Sequence, residues 1–451
     1  MATYTQNQNY NTDTVVPSYR SRLITGSAWN LIAMIFNQGS TFAVNIIIAR
    51  ILGQVAFGEY AIIQNTIVTM ASLIQLSFGM TATKYIAEFR TTDKDRAGEL
   101  LGFLSIITFT AAAFGSIVLF YTSPWISLHA LKAPKLSELL VVGVGYVFFS
   151  ALNGYQTGVF AGLESYKSLA KSGIVSGLVV IMFVTAGACW SGLIGAVWGL
   201  SISALVRFLV HKYNLIEAYK KNGLQPRYGS IANEKAIFLK FVLPSSLCIV
   251  FTLPAMWAAN ALLVRNAGFA EMAIYGAANN IRVIVLFLPN VISNVGLSML
   301  NHEKGNGDYG RFNHLFRSNV LSITFCAIIT AFLFGLFSDY ILRVFGKSFT
   351  SAHAISVVVV LLLSTIPESI SIAIHQYINS RVNMWVAFFG VNLPREILLV
   401  LFAYSLTNKY GAFGMALSYL TAYTVAFITT ACIVHFARRK HRNLQQSFLP
   451  A

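Results

Sequence analysis

Charge is scarce in this chain. Asp, Glu, Lys and Arg make up 11% of its 451 residues, against about 25% in soluble domains. Acids are the rarer sign, 16 against 32 bases. So few charges exclude an ordinary water-facing globular surface. Cysteine is scarce too: Cys189, Cys248, Cys326 and Cys432 each stand alone in an apolar run, a spacing that offers neither a metal ligand set nor a disulfide framework. The chain also lacks a His/Cys cluster, a Gly-rich phosphate loop ending in Lys-Ser/Thr, and a Gly-x-Ser-x-Gly elbow. Resident metal, nucleotide and serine-hydrolase chemistry therefore have no anchor, and no cofactor is expected.

Hydrophobicity is what the chain has: 56% apolar residues and a mean hydropathy of +0.65. A bilayer core about 30 Å thick needs about 20 apolar residues per helix. Twelve such runs can be drawn, at 24–49, 57–82, 99–121, 138–161, 169–189, 192–211, 237–263, 272–298, 317–337, 353–379, 384–405 and 411–436. A barrel is excluded, because its strands alternate apolar and polar residues, and helices satisfy their own backbone groups in lipid. The longest internal break is basic. Residues 1–19 are polar and lack the basic-then-apolar order of a signal peptide.

Two repeats run through these spans. Arg50, Gly53 and Tyr60 recur as Arg265, Gly268 and Tyr275 at a shift of 215, and Gly192 and Gly195 recur as Gly411 and Gly414 at a shift of 219. Packing and turn geometry alone can place single glycines, but two nearly equal shifts point to duplication. The fold class expected is an all-α polytopic membrane protein, about 12 transmembrane helices as two parallel six-helix repeats around a central cavity. Its parts would be a disordered tail at 1–19, a half at 20–211, a linker at 212–236, a second half at 237–437 and a tail at 438–451.

Basic residues set the orientation. Twenty-three Lys and Arg fall on the N-terminal tail and the even-numbered breaks and seven on the odd ones, with Arg282 and Arg395 inside spans. That bias places both termini in the cytoplasm. It also explains the net charge of +16 as membrane-facing, with membrane lipids and no nucleic acid as the partner.

Several stretches resemble one family. They are Trp29 with Ala49-Arg50-Ile51-Leu52-Gly53-Gln54-Val55-Ala56-Phe57-Gly58-Glu59-Tyr60, Phe160-Ala161-Gly162-Leu163-Glu164-Ser165-Tyr166, and Tyr275-Gly276-Ala277-Ala278-Asn279-Asn280-Ile281-Arg282 followed by Leu288-Pro289. Together they look like bacterial polysaccharide flippases of the Wzx type, within the superfamily that includes multidrug extruders and the lipid II flippase. The resemblance implies a multi-pass protein of the bacterial inner membrane. Its cargo would be an undecaprenyl-diphosphate-linked oligosaccharide for O-antigen, capsule or exopolysaccharide, and its partners a polysaccharide polymerase and chain-length machinery.

A path for such cargo needs polar groups inside an apolar bundle. A charge at mid-bilayer costs about 2.5–3.5 kcal/mol, so it faces a partner or water. Arg282, about 15 Å into the eighth span by helix rise, either faces a cavity and meets phosphate or pairs with a carboxylate. Arg395 and Glu396 follow Pro394 and, adjacent on a helix, lie about 100° apart and should point to different neighbours. Glu368, after Pro367, and Glu396 are candidates for ion coupling, with a static Glu368–Arg395 bridge as the competing reading. Gln64, Asn260, Asn279 and Asn280, with Asn290 and Asn294, offer amide donors and acceptors to sugar hydroxyls, or simply bond between helices. His375 is expected to be buried and neutral. Pro244 and Pro254 in the seventh span suggest a hinge between the halves.

Three function classes compete: a lipid-linked oligosaccharide flippase, a multidrug or small-molecule exporter on the same fold, and a membrane-embedded polymerase or glycosyltransferase. The exporter would want carboxylates in its cavity rather than arginines. The enzyme would want a sizeable extramembrane loop, and the breaks are too short to fold alone.

Overall fold

The computed structural model describes the backbone of residues 19–75, 78–228, 243–305, 309–381 and 384–447. Every regular element among them is helical. The main helices are α1 (Tyr19–Gln75), α2 (Phe78–Thr92), α3 (Lys94–Trp125), α4 (Ser137–Gly162), α5 (Tyr166–Asn222), α6 (Leu243–Gly305), α7 (Tyr309–Leu336), α8 (Ser338–Phe345), α9 (Ala352–Arg381), α10 (Met384–Ala387) and α11 (Leu393–Ser447).

Four of these are too long for one crossing. A straight helix of 57 residues, the length of α1 and α5, would run about 85 Å, roughly twice a bilayer with its head groups. Each long helix is broken by one glycine at positive φ. Gly53 sits at φ 77°, ψ 176° and Gly268 at φ 86°, ψ −178°. Gly192 sits at φ 60°, ψ −135° and Gly411 at φ 55°, ψ −130°. Only glycine enters these regions without strain.

The chain reverses at these breaks. Gly195 packs against the carbonyl of Gly187, although eight residues along a straight helix would separate them by about 12 Å. Gly414 packs in the same way against the carbonyl of Leu406. Among the described residues eight stretches are long and apolar enough to cross a membrane. Four of them contain a reversal, which makes twelve crossings.

The duplication is therefore visible in backbone angles. Glycines related by 215 share one conformation and those related by 219 share another. The last residues of the repeated triplets, Tyr60 and Tyr275, are both buried in a core shared by the two halves, with Phe57, Ile63, Ala273 and Ala277.

Apolar-run length misjudged where helices end. The sixth span was expected to stop at 211, but α5 continues to Asn222, where Gly223 at φ 63° caps it. The run reports hydrocarbon thickness, whereas the helix carries on through polar, basic turns beyond it. The expected linker at 212–236 therefore begins inside α5. Residues 223–228 fold back on α3, with the Arg227 amide donating to the Gly98 carbonyl at 2.9 Å. Residues 229–242 and residues 1–18 of the tail expected at 1–19 lie outside the described residues, and Tyr19 already belongs to α1.

The halves meet tightly at the end carrying the odd-numbered breaks. Gly58 lies against the Phe269 carbonyl, leaving no room for a Cβ. Arg50 Nε donates to the Val344 carbonyl at 2.6 Å. Lys135 pairs with the buried Glu59 at 2.5 Å and lies 5.8 Å from the Phe269 ring centroid. Phe57 packs on Phe345 and Phe349. This end is closed.

Candidate functional site: an amide cavity backed by a charge cluster

A cavity of about 250 Å³ lies between α1 and α6, at the junction of the halves. Gln64, Asn260, Asn279 and Asn280, four of the residues singled out from sequence, all line it. Asn45 and Asn65, which are not among the candidates drawn from the apolar spans, line it as well. The pairs Asn45/Asn260, Gln64/Asn279 and Asn65/Asn280 are each separated by 215 residues. The repeat shift was thus the signal that could have found them. Three amide positions from each half converge on one space.

One bond crosses the cavity, from Asn45 Nδ2 to Asn280 Oδ1 at 2.7 Å, and Asn280 Nδ2 turns back to the Gly276 carbonyl. The carbonyl oxygens Asn45 Oδ1, Asn65 Oδ1 and Asn260 Oδ1 are buried and have no partner. Buried acceptors are nearly always satisfied, so three at one cavity mark a place where donors are expected. Among the described residues no carboxylate lines the cavity.

Arg282 does not line it. The Arg282 guanidinium turns into the second half, pairs with Glu368 and lies 4.8 Å from the Tyr419 ring centroid and 5.5 Å from that of Tyr423. Glu368 thus pairs with Arg282, and the expected Glu368–Arg395 bridge is not formed. Arg395 Nε instead donates to Glu396 Oε1 at 2.9 Å, with the guanidinium 5.1 Å from the Tyr423 centroid. The expectation that these adjacent residues diverge fails for a simple reason: the arginine side chain is long enough to curl across the angle between them. Two arginines and two glutamates make the cluster formally neutral, which is how charge is tolerated in an apolar bundle.

Cavity and cluster share residues. Asn279 lines the cavity and accepts from Arg282 Nη1 at 3.4 Å. Tyr275 also lines it and packs on Tyr419 with ring centroids 6.0 Å apart. The cavity wall and the ion pair are therefore in direct contact.

The remaining residues are scattered. Asn290 bonds back to the Leu286 carbonyl within its own helix, and the side chain of Asn294 lies outside the described residues. His375 is mostly surrounded, its Nε2 without a partner. Pro254 sits inside α6 eleven residues after Leu243, the first described residue of that helix. Pro244 is in the first turn of α6, and its side chain lies outside the described residues. Among the described residues no group of His, Cys, Asp and Glu could hold a metal ion.

Solved transporter structures share this architecture. The solved structure of a multidrug resistance MATE family transporter of the MOP superfamily, in its inward-facing conformation, superposes with a TM-score of 0.76 at 15% identity, covering 94% of this chain and 100% of the other. The lipid II flippase MurJ, in an inward closed conformation, gives 0.73 at 15% identity over 90% of this chain and 87% of its own. These likenesses establish the fold. In sequence, the EPS I polysaccharide export inner membrane protein EpsE of Ralstonia nicotianae is 22% identical over 418 residues, 90% of this chain and 92% of that protein. A family model described as polysaccharide biosynthesis protein matches residues 23–296, more than half the chain. With twelve crossings in two dihedral-matched halves, this chain belongs to the polysaccharide biosynthesis protein family.

Proposed function

We propose that the protein carries lipid-linked polysaccharide precursors across the bacterial inner membrane by alternating access between its halves. The observation that carries this reading is the inter-half cavity lined by three pairs of repeat-related amides, three of whose buried oxygens have no partner. Sugar hydroxyls are the donors such oxygens accept. A cavity of about 250 Å³ is below the roughly 300–1,000 Å³ of ordinary ligand pockets, so a glycan enters only when the halves part. The closed end at Gly58, Arg50 and Lys135 is assigned to the periplasm by the basic-residue bias, with both termini cytoplasmic. The structure is then a state closed to the outside.

In this mechanism the glycan enters from the cytoplasm and its lipid stays in the bilayer. The halves rock about the amide layer until the closed end opens. The Arg282–Glu368 pair backs the wall through Asn279 and Tyr275. When the wall shifts, the guanidinium is placed to meet the diphosphate. Glu368 and Glu396 are the carboxylates through which an ion gradient would act. The exporter reading is disfavoured because no acid lines the cavity.

The test is leaflet accessibility of an undecaprenyl-diphosphate oligosaccharide in proteoliposomes, with wild type, Asn260→Leu and Asn65→Leu at matched reconstitution. Protein-dependent translocation that falls in both variants is expected. Translocation unaffected by either variant removes the amides from the path, and no translocation of several such lipids rejects the flippase.

A further inference from the structure

A second, larger cavity of about 820 Å³ lies wholly in the first half, between α3, α4, the end of α5 and the segment that follows α5. One wall is a run of touching aromatic rings. Phe109, Phe148, Phe149 and Phe208 follow one another with centroids 5.1 to 5.8 Å apart. Phe109 at the outer side is 54% exposed, so the groove opens at the apolar surface of the bundle. At its other end stand two exposed lysines, Lys212 and Lys220, at the basic end of the half. No acid lines it.

The polar and apolar parts are ordered along the helices. Gln156 Nε2 donates to the Phe208 carbonyl at 3.3 Å, and Lys212 follows Phe208 by one helical turn. Gln156 and Lys212 thus stand at one level, with the aromatic wall running away from them. Gln156 lines the groove, and its Oε1 is buried and has no partner. The remaining wall is the start of the connection between the halves. Leu224 is buried there, Arg227 pairs with Asp95 at 2.9 Å, and the Arg227 carbonyl lies where a Cβ on Gly102 would be.

We propose that this groove binds one anionic phospholipid of the cytoplasmic leaflet, distinct from the cargo. An acyl chain lies along the phenylalanines, the phosphate sits at Lys212 and Lys220, and a head-group hydroxyl donates to Gln156 Oε1. Charge complementarity selects the occupant: two lysines face the leaflet that carries anionic lipid, and a chain supplies the apolar body that the aromatic wall needs. Because residues 224–228 form part of the wall, a bound lipid braces the connection between the halves. The proposal rests on the cytoplasmic orientation but not on the identity of the cargo.

Detergent-purified full-length protein is titrated with phosphatidylglycerol or phosphatidylcholine, and bound lipid is counted by native mass spectrometry. Wild type should retain one phosphatidylglycerol in preference to phosphatidylcholine. Lys212→Gln with Lys220→Gln should weaken phosphatidylglycerol by roughly 25-fold, about fivefold for each interfacial lysine, and leave phosphatidylcholine unchanged. Ser105→Trp, which fills the groove and keeps both lysines, should lower retention of either lipid. If the double variant does not elute as a folded species, Lys212→Gln alone carries the test with about a fivefold loss. Equal retention of both lipids by wild type, or unchanged phosphatidylglycerol binding in the lysine and groove variants, overturns the proposal. Since transport is not the readout, failure here leaves the flippase reading standing, and the reverse.

Discussion

Removing one member of the Arg282–Glu368 pair should cost far more than removing both. Arg282 and Glu368 are 4% and 8% exposed, so neither charge can turn to water when its partner is gone. Loss of one partner from a buried pair costs about 3–5 kcal/mol, whereas replacing both with apolar groups of similar size is often neutral or better. Arg282 also lies against the rings of Tyr419 and Tyr423, contacts worth about 0.5–2 kcal/mol that the double variant does not recover. Arg282→Met and Glu368→Leu should therefore each lose about 3–5 kcal/mol, a large share of the 5–15 kcal/mol that holds a protein folded. The double variant should lose only about 1–2 kcal/mol. Chemical unfolding in mixed micelles, followed by tryptophan fluorescence, measures the three losses. Singles that each lose under about 1 kcal/mol, or a double equal to their sum, would refute the buried-pair reasoning. The stable double variant then separates two roles in the leaflet assay. Translocation intact makes the pair a brace, and translocation lost in a folded double variant gives the pair a part in transport.

The closed end gives a conformational prediction. Gly58→Val should wedge α1 from the Phe269 carbonyl, and a cysteine placed at Asn280 in a background without native cysteines should then react with a thiol reagent added from the periplasmic side; unchanged labelling contradicts the assigned gate. Among the reversal glycines, Gly411→Ala should be costlier than Gly53→Ala. Both enter a region that strains a side chain by about 1–3 kcal/mol, but a Cβ at Gly411 also runs into Glu271, which caps the Ala412 amide at 2.6 Å, whereas nothing lies within 4 Å at Gly53. Equal melting temperatures for the two variants would deny Glu271 that role. Pro254→Ala, inside α6, should impair translocation at normal protein abundance if the proline sustains a hinge, and normal translocation at normal abundance dismisses it.

The membrane class, the number of crossings and the two halves are legible in the sequence because each is written in one dimension. Apolar runs measure bilayer thickness, and equal spacing survives duplication. The turns are not legible in that way. One glycine at positive φ reverses the chain at Gly53 or Gly268, where run length suggests a polar break of several residues. The amide cavity was half legible: Gln64, Asn260, Asn279 and Asn280 were found as polar residues in apolar spans, while Asn45 and Asn65 needed the 215 shift to be applied to them as well. The ion pairs were illegible. Arg282 and Glu368 are 86 residues apart, and nothing in the spacing of either says which of several buried acids the arginine meets.

What the duplication did not copy is as informative as what it did. The backbone reversals, the buried tyrosines and the three amide pairs recur at the shift of 215 or 219. The charges do not. At the shift of 215 Arg282 corresponds to Ile67, and at 219 Arg395 and Glu396 correspond to Ser176 and Gly177. Between those shifts Glu368 corresponds to the stretch from Phe149 to Asn153, which holds no acid. A feature needed only to build a six-helix half would be kept in both halves, as the glycines are. Charges inside one half alone cost stability there and serve no construction purpose that the other half shares. The amides, present in both, lie on the surface along which the halves meet. In the proposed mechanism the ion pairs, present in one, are the part assigned to a charged cargo or an ion. For this reason the Arg282–Glu368 double variant, and not any single replacement in the amide layer, distinguishes a carrier that merely rocks from one whose rocking is coupled.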